Sequence, residues 1–123
     1  RTIFVGGQEQ LDALLALPEP PSALFLTNDM LLEDTLSWVR TSPYRVGRDL
    51  SLVALDDVTF ARIIEPPITT ISQPIADIGI TAADLLLKKI RHVNNHTSPR
   101  ITRLPPTLHE RESVIDLRNR LQK

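Results

Sequence analysis

Ala23-Leu24-Phe25-Leu26-Thr27-Asn28-Asp29 and Leu50-Ser51-Leu52-Val53-Ala54-Leu55-Asp56-Asp57 decide how this chain folds. Each is an apolar run of strand length that stops at an acidic or amide pair. Continuous apolar runs fit strands covered on both faces, which is the environment of a parallel sheet. Between them, Met30 to Arg40 reads as a helix. Asn28 or Asp29 can accept the unpaired N–H groups of its first turn, Glu33 and Asp34 suit the positive end of its dipole, and Ser42-Pro43 closes it.

Outward from this pair the alternation continues. On the N-terminal side, Ile3-Phe4-Val5 before Gly6-Gly7 reads as a short strand. Leu11, Leu14, Leu15 and Ala16 or Leu17 then give Gln8 to Leu17 one apolar helical face, ended by Pro18-Glu19-Pro20-Pro21. Strand, helix, strand, helix, strand (the last over Asp49 to Leu55) with short connections predicts a parallel α/β sheet built by right-handed crossovers. The pattern changes after Asp57. Val58 to Glu65 suits a short helical turn, and Ile68 to Ile71 is extended. Pro74 opens a helix whose stripe is Ile75, Ile78, Ala82, Leu85, Leu86 and Ile90. Asn94 to Pro99 reads as a polar loop. Ile101 to Leu104 and Thr107 to Glu110 read as short strands, and Val114 to Lys123 as a mobile charged tail.

Composition removes several function classes. Fourteen Lys and Arg against fifteen Asp and Glu leave a net charge of −1. Nucleic acid and anionic lipid both call for a basic surface, so neither is an expected partner of this stretch itself. With no cysteine, disulfides, thiolate nucleophiles and Cys-based zinc sites are out. No apolar run reaches the roughly 20 residues of a membrane span. Arg1-Thr2-Ile3 is neither an initiator start nor a signal peptide; this reads as a stretch of a longer chain.

Ligands of an open parallel sheet bind beyond the carboxyl ends of its strands. Asn28-Asp29 and Asp56-Asp57 would both line that rim, where Asn28 offers an amide and Asp56 a carboxylate. The plainer reading, that these residues only cap helices and turn the chain, stays open at this point. Enzyme signatures are missing: no G-x-S-x-G, no phosphate loop, no G-x-G-x-x-G. His92 and His96 have i, i+4 spacing but flank Asn94-Asn95 where the helix ends, so a solvated loop is expected and no metal site. His109 is expected as a surface histidine. No cofactor is expected.

Five blocks in register resemble one family: Ala23 to Met30, Val46 to Asp57, Glu65-Pro66-Pro67-Ile68-Thr69-Thr70-Ile71-Ser72-Gln73-Pro74, Gly79 to Ile90, and Leu104-Pro105-Pro106-Thr107-Leu108-His109-Glu110-Arg111-Glu112-Ser113. Together they are similar to the C-terminal half of LacI/GalR-type transcriptional regulators. The resemblance implies part of a periplasmic-binding-protein-like (type I) sensor domain: two α/β lobes with a small effector, of sugar or nucleobase class, between them. Residues 1–72 would belong to the C-terminal lobe, 73–104 to the N-terminal lobe, and 105–113 to a strand returning to the first, with 114–123 as tail. On the matched motifs, Asn28, Asp56 and Gln73 would bind effector. Met30, Glu33, Asp34 and Ser37, with Ile63 and Ile64, would form a homodimer interface. Relatives also carry an effector arginine in a preceding stretch this sequence lacks, and Gln8 stands near the place of a usual aromatic.

The resemblance thus implies an effector-binding and dimerisation part of a cytoplasmic bacterial repressor. It would touch operator DNA only through a helix-turn-helix domain outside these residues. A periplasmic sugar-binding protein of a transport system is the alternative, and a small α/β enzyme using Asp56 or Asp57 a third reading.

Overall fold

The structure, a computed structural model, describes residues 7–91 and 101–116. The expected strand at Ile3 to Val5, the His92/His96 pair, the Asn94 to Pro99 loop and the tail from 117 on lie outside the described residues.

Those residues form α1 (Gln8–Leu15), β1 (Ala23–Leu26), α2 (Asp29–Thr41), β2 (Ser51–Leu55), α3 (Thr59–Ile63), β3 (Thr69–Ser72), α4 (Ile75–Arg91) and β4 (Thr107–His109). The strands make one sheet in the order β1-β2-β3-β4. β1 pairs parallel with β2, Leu26 opposite Ala54, and β2 pairs parallel with β3, Ala54 opposite Thr70 and Leu55 opposite Ile71. The expected α/β architecture with a parallel sheet is present.

The described residues divide into two compact units, 7–72 with 108–116, and 73–91 with 101–107. The first holds the core. Leu11 and Leu15 of α1, Leu26, Leu32 and Trp38 of α2, Leu50, Leu52, Ala54, Ala61 and Ile68 are all buried. α2 lies on the sheet by its Leu32, Thr35 and Trp38 face, and the Trp38 indole N–H donates to Asp12 Oδ1 at 2.7 Å, tying α1 to α2. Leu32, Leu50 and Leu52 are wholly enclosed; full burial of such a side chain contributes about 1.5–3 kcal/mol each.

The segment after β4 is stitched into this unit. Ser113 is buried; its hydroxyl donates to the Leu52 carbonyl (2.6 Å) and accepts the Thr69 N–H (2.8 Å), while its carbonyl accepts the Leu52 N–H. Gly47, at φ 75°, lets the chain pass underneath: a Cβ there would stand 2.5 Å from the Glu112 carbonyl oxygen.

Several expectations are corrected here. Ile101 to Leu104 is not a strand; apolar side chains without a neighbouring edge to pair with do not make one, and Pro105-Pro106 removes two donors. β1 is not covered on both faces, since Phe25 is 55 % exposed and Ala23, two residues away on the same face, is exposed as well. The tail does not begin at Val114: Ile115 N–H donates to Ser51 Oγ at 3.0 Å, anchoring 113–115 to β2. In the second unit, α4 carries the apolar stripe read from the sequence, yet none of its residues is buried.

Candidate functional site

The parallel pairing sets up a rim. Asn28 stands two residues past the end of β1, Asp56 one past β2 and Gln73 one past β3. Because Leu26 faces Ala54 and Leu55 faces Ile71, these chain ends come level with each other on adjacent strands, about 4.8 Å apart in the hydrogen-bonding direction. Asn28 and Asp56, both in the first unit, therefore follow the carboxyl ends of neighbouring parallel strands, where an open α/β sheet presents its ligand crevice, while Gln73 is the first residue of the second unit.

Each arrives there for a local reason. Asn28 is the N-cap of α2; its extended backbone turns the chain, and Oδ1 accepts the Leu31 N–H at 2.8 Å. With one lone pair of Oδ1 held in the cap, Asn28 can offer a ligand the two N–H donors of Nδ2. Asp56 takes a left-handed conformation, φ 70°, alone among the described non-glycine residues. Its N–H still donates to the Ile71 carbonyl at 2.8 Å, so β2 is held to β3 up to the turn itself. Gln73 is exposed, and its carbonyl accepts the Ile75 N–H at the start of α4.

Behind the rim lies a cluster that the sequence reading did not find. The Asp57 side chain is 6 % exposed. Its Oδ1 accepts from Thr70 Oγ1 and from Arg111, both at 2.7 Å, and Oδ2 lies 2.9 Å from the Arg62 guanidinium. Arg62 also donates to the Asp57 carbonyl at 3.1 Å. Arg111 in turn donates to the Ile68 carbonyl and, at 3.1 Å, to Thr70 Oγ1. His109 shares a 2.9 Å hydrogen bond with Ser72 Oγ and places Nε2 3.8 Å from Asp57 Oδ2. The expected surface histidine is thus half-buried, because β4 brings it against β3.

Burial pushes the Asp57 carboxyl up, but the Thr70 and Arg111 hydrogen bonds with the charges of Arg111 and Arg62 outweigh it, and the group is held below its ordinary value. A carboxylate so engaged is an anchor of structure, poorly suited to take a proton from a substrate. The sequence carries only a local hint of this cluster, the spacing of two between His109 at the end of β4 and Arg111, which suits one side of an extended chain.

The remaining expected site residues, Ile64 apart, sit on the surface. Met30 (72 % exposed), Glu33, Asp34 and Ser37 share one exposed face of α2. Ile63 and Ile64 part company: Ile63 is exposed, whereas Ile64 packs against the core. A cavity of about 470 Å³, lined by Asp12, Leu15, Trp38, Thr41 and Tyr44 among others, opens at the far end of α2 from the rim. Among the described residues no cluster of His, Asp and Glu could hold a metal ion, and no helix is long and apolar enough to cross a membrane.

Residues 2–114 match the profile of the periplasmic binding protein-like domain. This chain belongs to that family. Within it the likeness is to LacI/GalR regulators. It is 40 % identical over 106 residues to the probable HTH-type transcriptional regulator EndR of Paenibacillus polymyxa, covering 85 % of this chain and 31 % of EndR. It is 33 % identical over 115 residues to the ribose operon repressor of Haemophilus influenzae, covering 94 % and 34 %. A LacI family transcriptional regulator from Enterococcus faecium, solved with bound ribose, superposes with a TM-score of 0.71 at 28 % identity, covering 89 % of this chain and 40 % of that one. The chain thus spans about a third of the curated relatives it matches, and these relatives are regulators of transcription rather than enzymes.

Proposed function

We propose that this chain is the effector-binding and dimerisation part of a bacterial LacI-type transcriptional regulator, and that its effector is a small polyhydroxylated molecule of the sugar class. The observation that carries this reading is the rim of the first unit: Asn28 and Asp56 follow two adjacent parallel strand ends. Asn28 supplies N–H donors and Asp56 a carboxylate acceptor. A hydroxyl group both donates and accepts, so a ring bearing several hydroxyls matches such a rim, and its bonds to the carboxylate are the charge-assisted, stronger kind. Ribose in the Enterococcus faecium relative and the ribose operon repressor support the same class.

The mechanism is allosteric. Effector bound against this rim favours one arrangement of the two lobes, and its differential affinity for the two arrangements is the free energy that changes operator binding by helix-turn-helix heads elsewhere in the protein. The exposed Met30, Glu33, Asp34 and Ser37 face of α2, with Ile63, serves the homodimer that presents those heads. The protein acts in the cytoplasm, where its operator is. Transport is the less favoured reading, since the relatives named are regulators.

The test is calorimetric titration of the intact regulator with D-ribose and a panel of other aldoses. The parent is expected to bind one of them, and Asp56→Ala to lose that binding while keeping its melting temperature. Unchanged affinity in Asp56→Ala would remove Asp56 from the site. For the dimer, Ile63→Asp with Met30→Asp is expected to give a monomer by sedimentation velocity; a dimer unchanged in mass would place the interface elsewhere.

A further inference from the structure

We infer that Asp57 is the positioning residue for Asp56: it takes no part in holding effector, and instead locks its neighbour into the left-handed turn that fixes where the Asp56 carboxylate stands on the rim. This rests on the proposed effector role of Asp56 and adds what makes that role possible.

The geometry over-determines the turn. On one side, the Asp56 N–H is bound to the Ile71 carbonyl at 2.8 Å, so the chain enters Asp56 in register with β3. On the other, Asp57 is held at both its carboxylate and its carbonyl: Thr70 and Arg111 bind Oδ1 at 2.7 Å, while Arg62 pairs with Oδ2 at 2.9 Å and with the carbonyl at 3.1 Å. Between these two anchors the chain turns at Asp56, with φ 70°. An aspartate reaches that region only at a cost, and persists there where its surroundings leave no alternative.

The chemistry separates the two neighbouring carboxylates. Asp57 has its charge matched by two guanidinium groups and its side chain 6 % exposed, so its oxygens are committed. Asp56 is half-buried at the strand end. The commitment of Asp57 to the protein is what places Asp56 on the rim. The arrangement also explains why residues as distant in sequence as Thr70 and Arg111 converge on a loop they do not belong to.

The test uses the full-length regulator with Asp57→Asn, and its deciding readout needs no ligand: the backbone conformation of Asp56 in the crystal structure of the variant. Asp56 is expected to leave the left-handed region. Retention of φ near its present value overturns the inference. If Asp57→Asn does not fold, Thr70→Val with Arg62→Ala replaces it, because together they remove the Thr70 bond to Oδ1 and both Arg62 contacts of Asp57; the same two outcomes apply. D-ribose affinity, titrated well below the melting temperature of each protein, should fall about tenfold in Asp57→Asn, the factor that a loss of about 1.4 kcal/mol makes. A purely structural Asp57 would lower the melting temperature and leave affinity unmoved. Loss of binding in Asp56→Ala with full affinity in Asp57→Asn overturns this inference alone. Full affinity in Asp56→Ala overturns the rim reading beneath it.

Discussion

α2 and α4 are both amphipathic helices of good length, 13 and 17 residues, and the sequence marks an apolar stripe on each. Their fates differ. α2 buries Leu32, Thr35 and Trp38 against the sheet. α4 buries nothing: Ile75, Ile80, Leu86 and Ile90 are each 59 % exposed or more. A periodic stripe tells which face of a helix favours burial; it does not tell where the covering surface comes from. An isolated helix of this length is marginal in water, since nucleation is costly and most helical stability comes from packing. The first unit of the chain is therefore expected to supply nearly all the stability the described residues possess.

Substitutions sharpen that contrast. Leu32→Ala, in α2, removes a side chain with no exposure and is expected to cost about 2–5 kcal/mol in urea unfolding. Leu86→Ala, in α4 at 60 % exposure, is expected to stay within about 0.5 kcal/mol. A cost for Leu86→Ala approaching that of Leu32→Ala would mean α4 is covered in solution, and the comparison would break.

Acid probes the first unit in another way. The Asp57 carboxyl is held below its ordinary value, so the folded state binds its proton less readily than the unfolded chain does. The stability this contributes is fully present above the ordinary aspartate value of about 3.9 and is lost as pH falls through the lower folded one. Melting curves between neutral pH and pH 2 should show that loss, and Asp57→Asn should flatten it. A smaller effect than that of Leu32→Ala belongs to the start of α2: Asn28→Ala removes the cap on Leu31 N–H and is expected to cost about 1 kcal/mol. A far smaller change in melting temperature would show that the helix does not depend on its cap.

The sequence made the rim legible because local signals mark it. Apolar runs at Ala23–Leu26 and Ser51–Leu55 end at polar pairs, and such punctuation places strand ends to within a residue or two. Asn28 was open to two readings, cap or ligand group; the structure places its oxygen in the cap. Asp57 was harder. Its partners Thr70 and Arg111 lie 13 and 54 residues away, and no window of helical or strand periodicity spans such a distance. The misread strand at Ile101 to Leu104 makes the complementary point. Its residues suit a strand, but a strand is a pairing, and pairing partners are a property of the fold.

Ser113 has a further meaning when the chain is considered as something made in time. The Thr69 N–H and the Leu52 carbonyl and N–H all meet Ser113, and Asp57 waits for Arg111. On a ribosome adding about 5–20 residues per second, β2 and β3 emerge seconds before the segment that completes them. During that interval the groups that Ser113 will satisfy have no partner in it, and Asp57 has no Arg111. The first unit is begun early in synthesis and finished late, after the whole of α4 has been made, so its folding is gated by the arrival of a short C-terminal clasp.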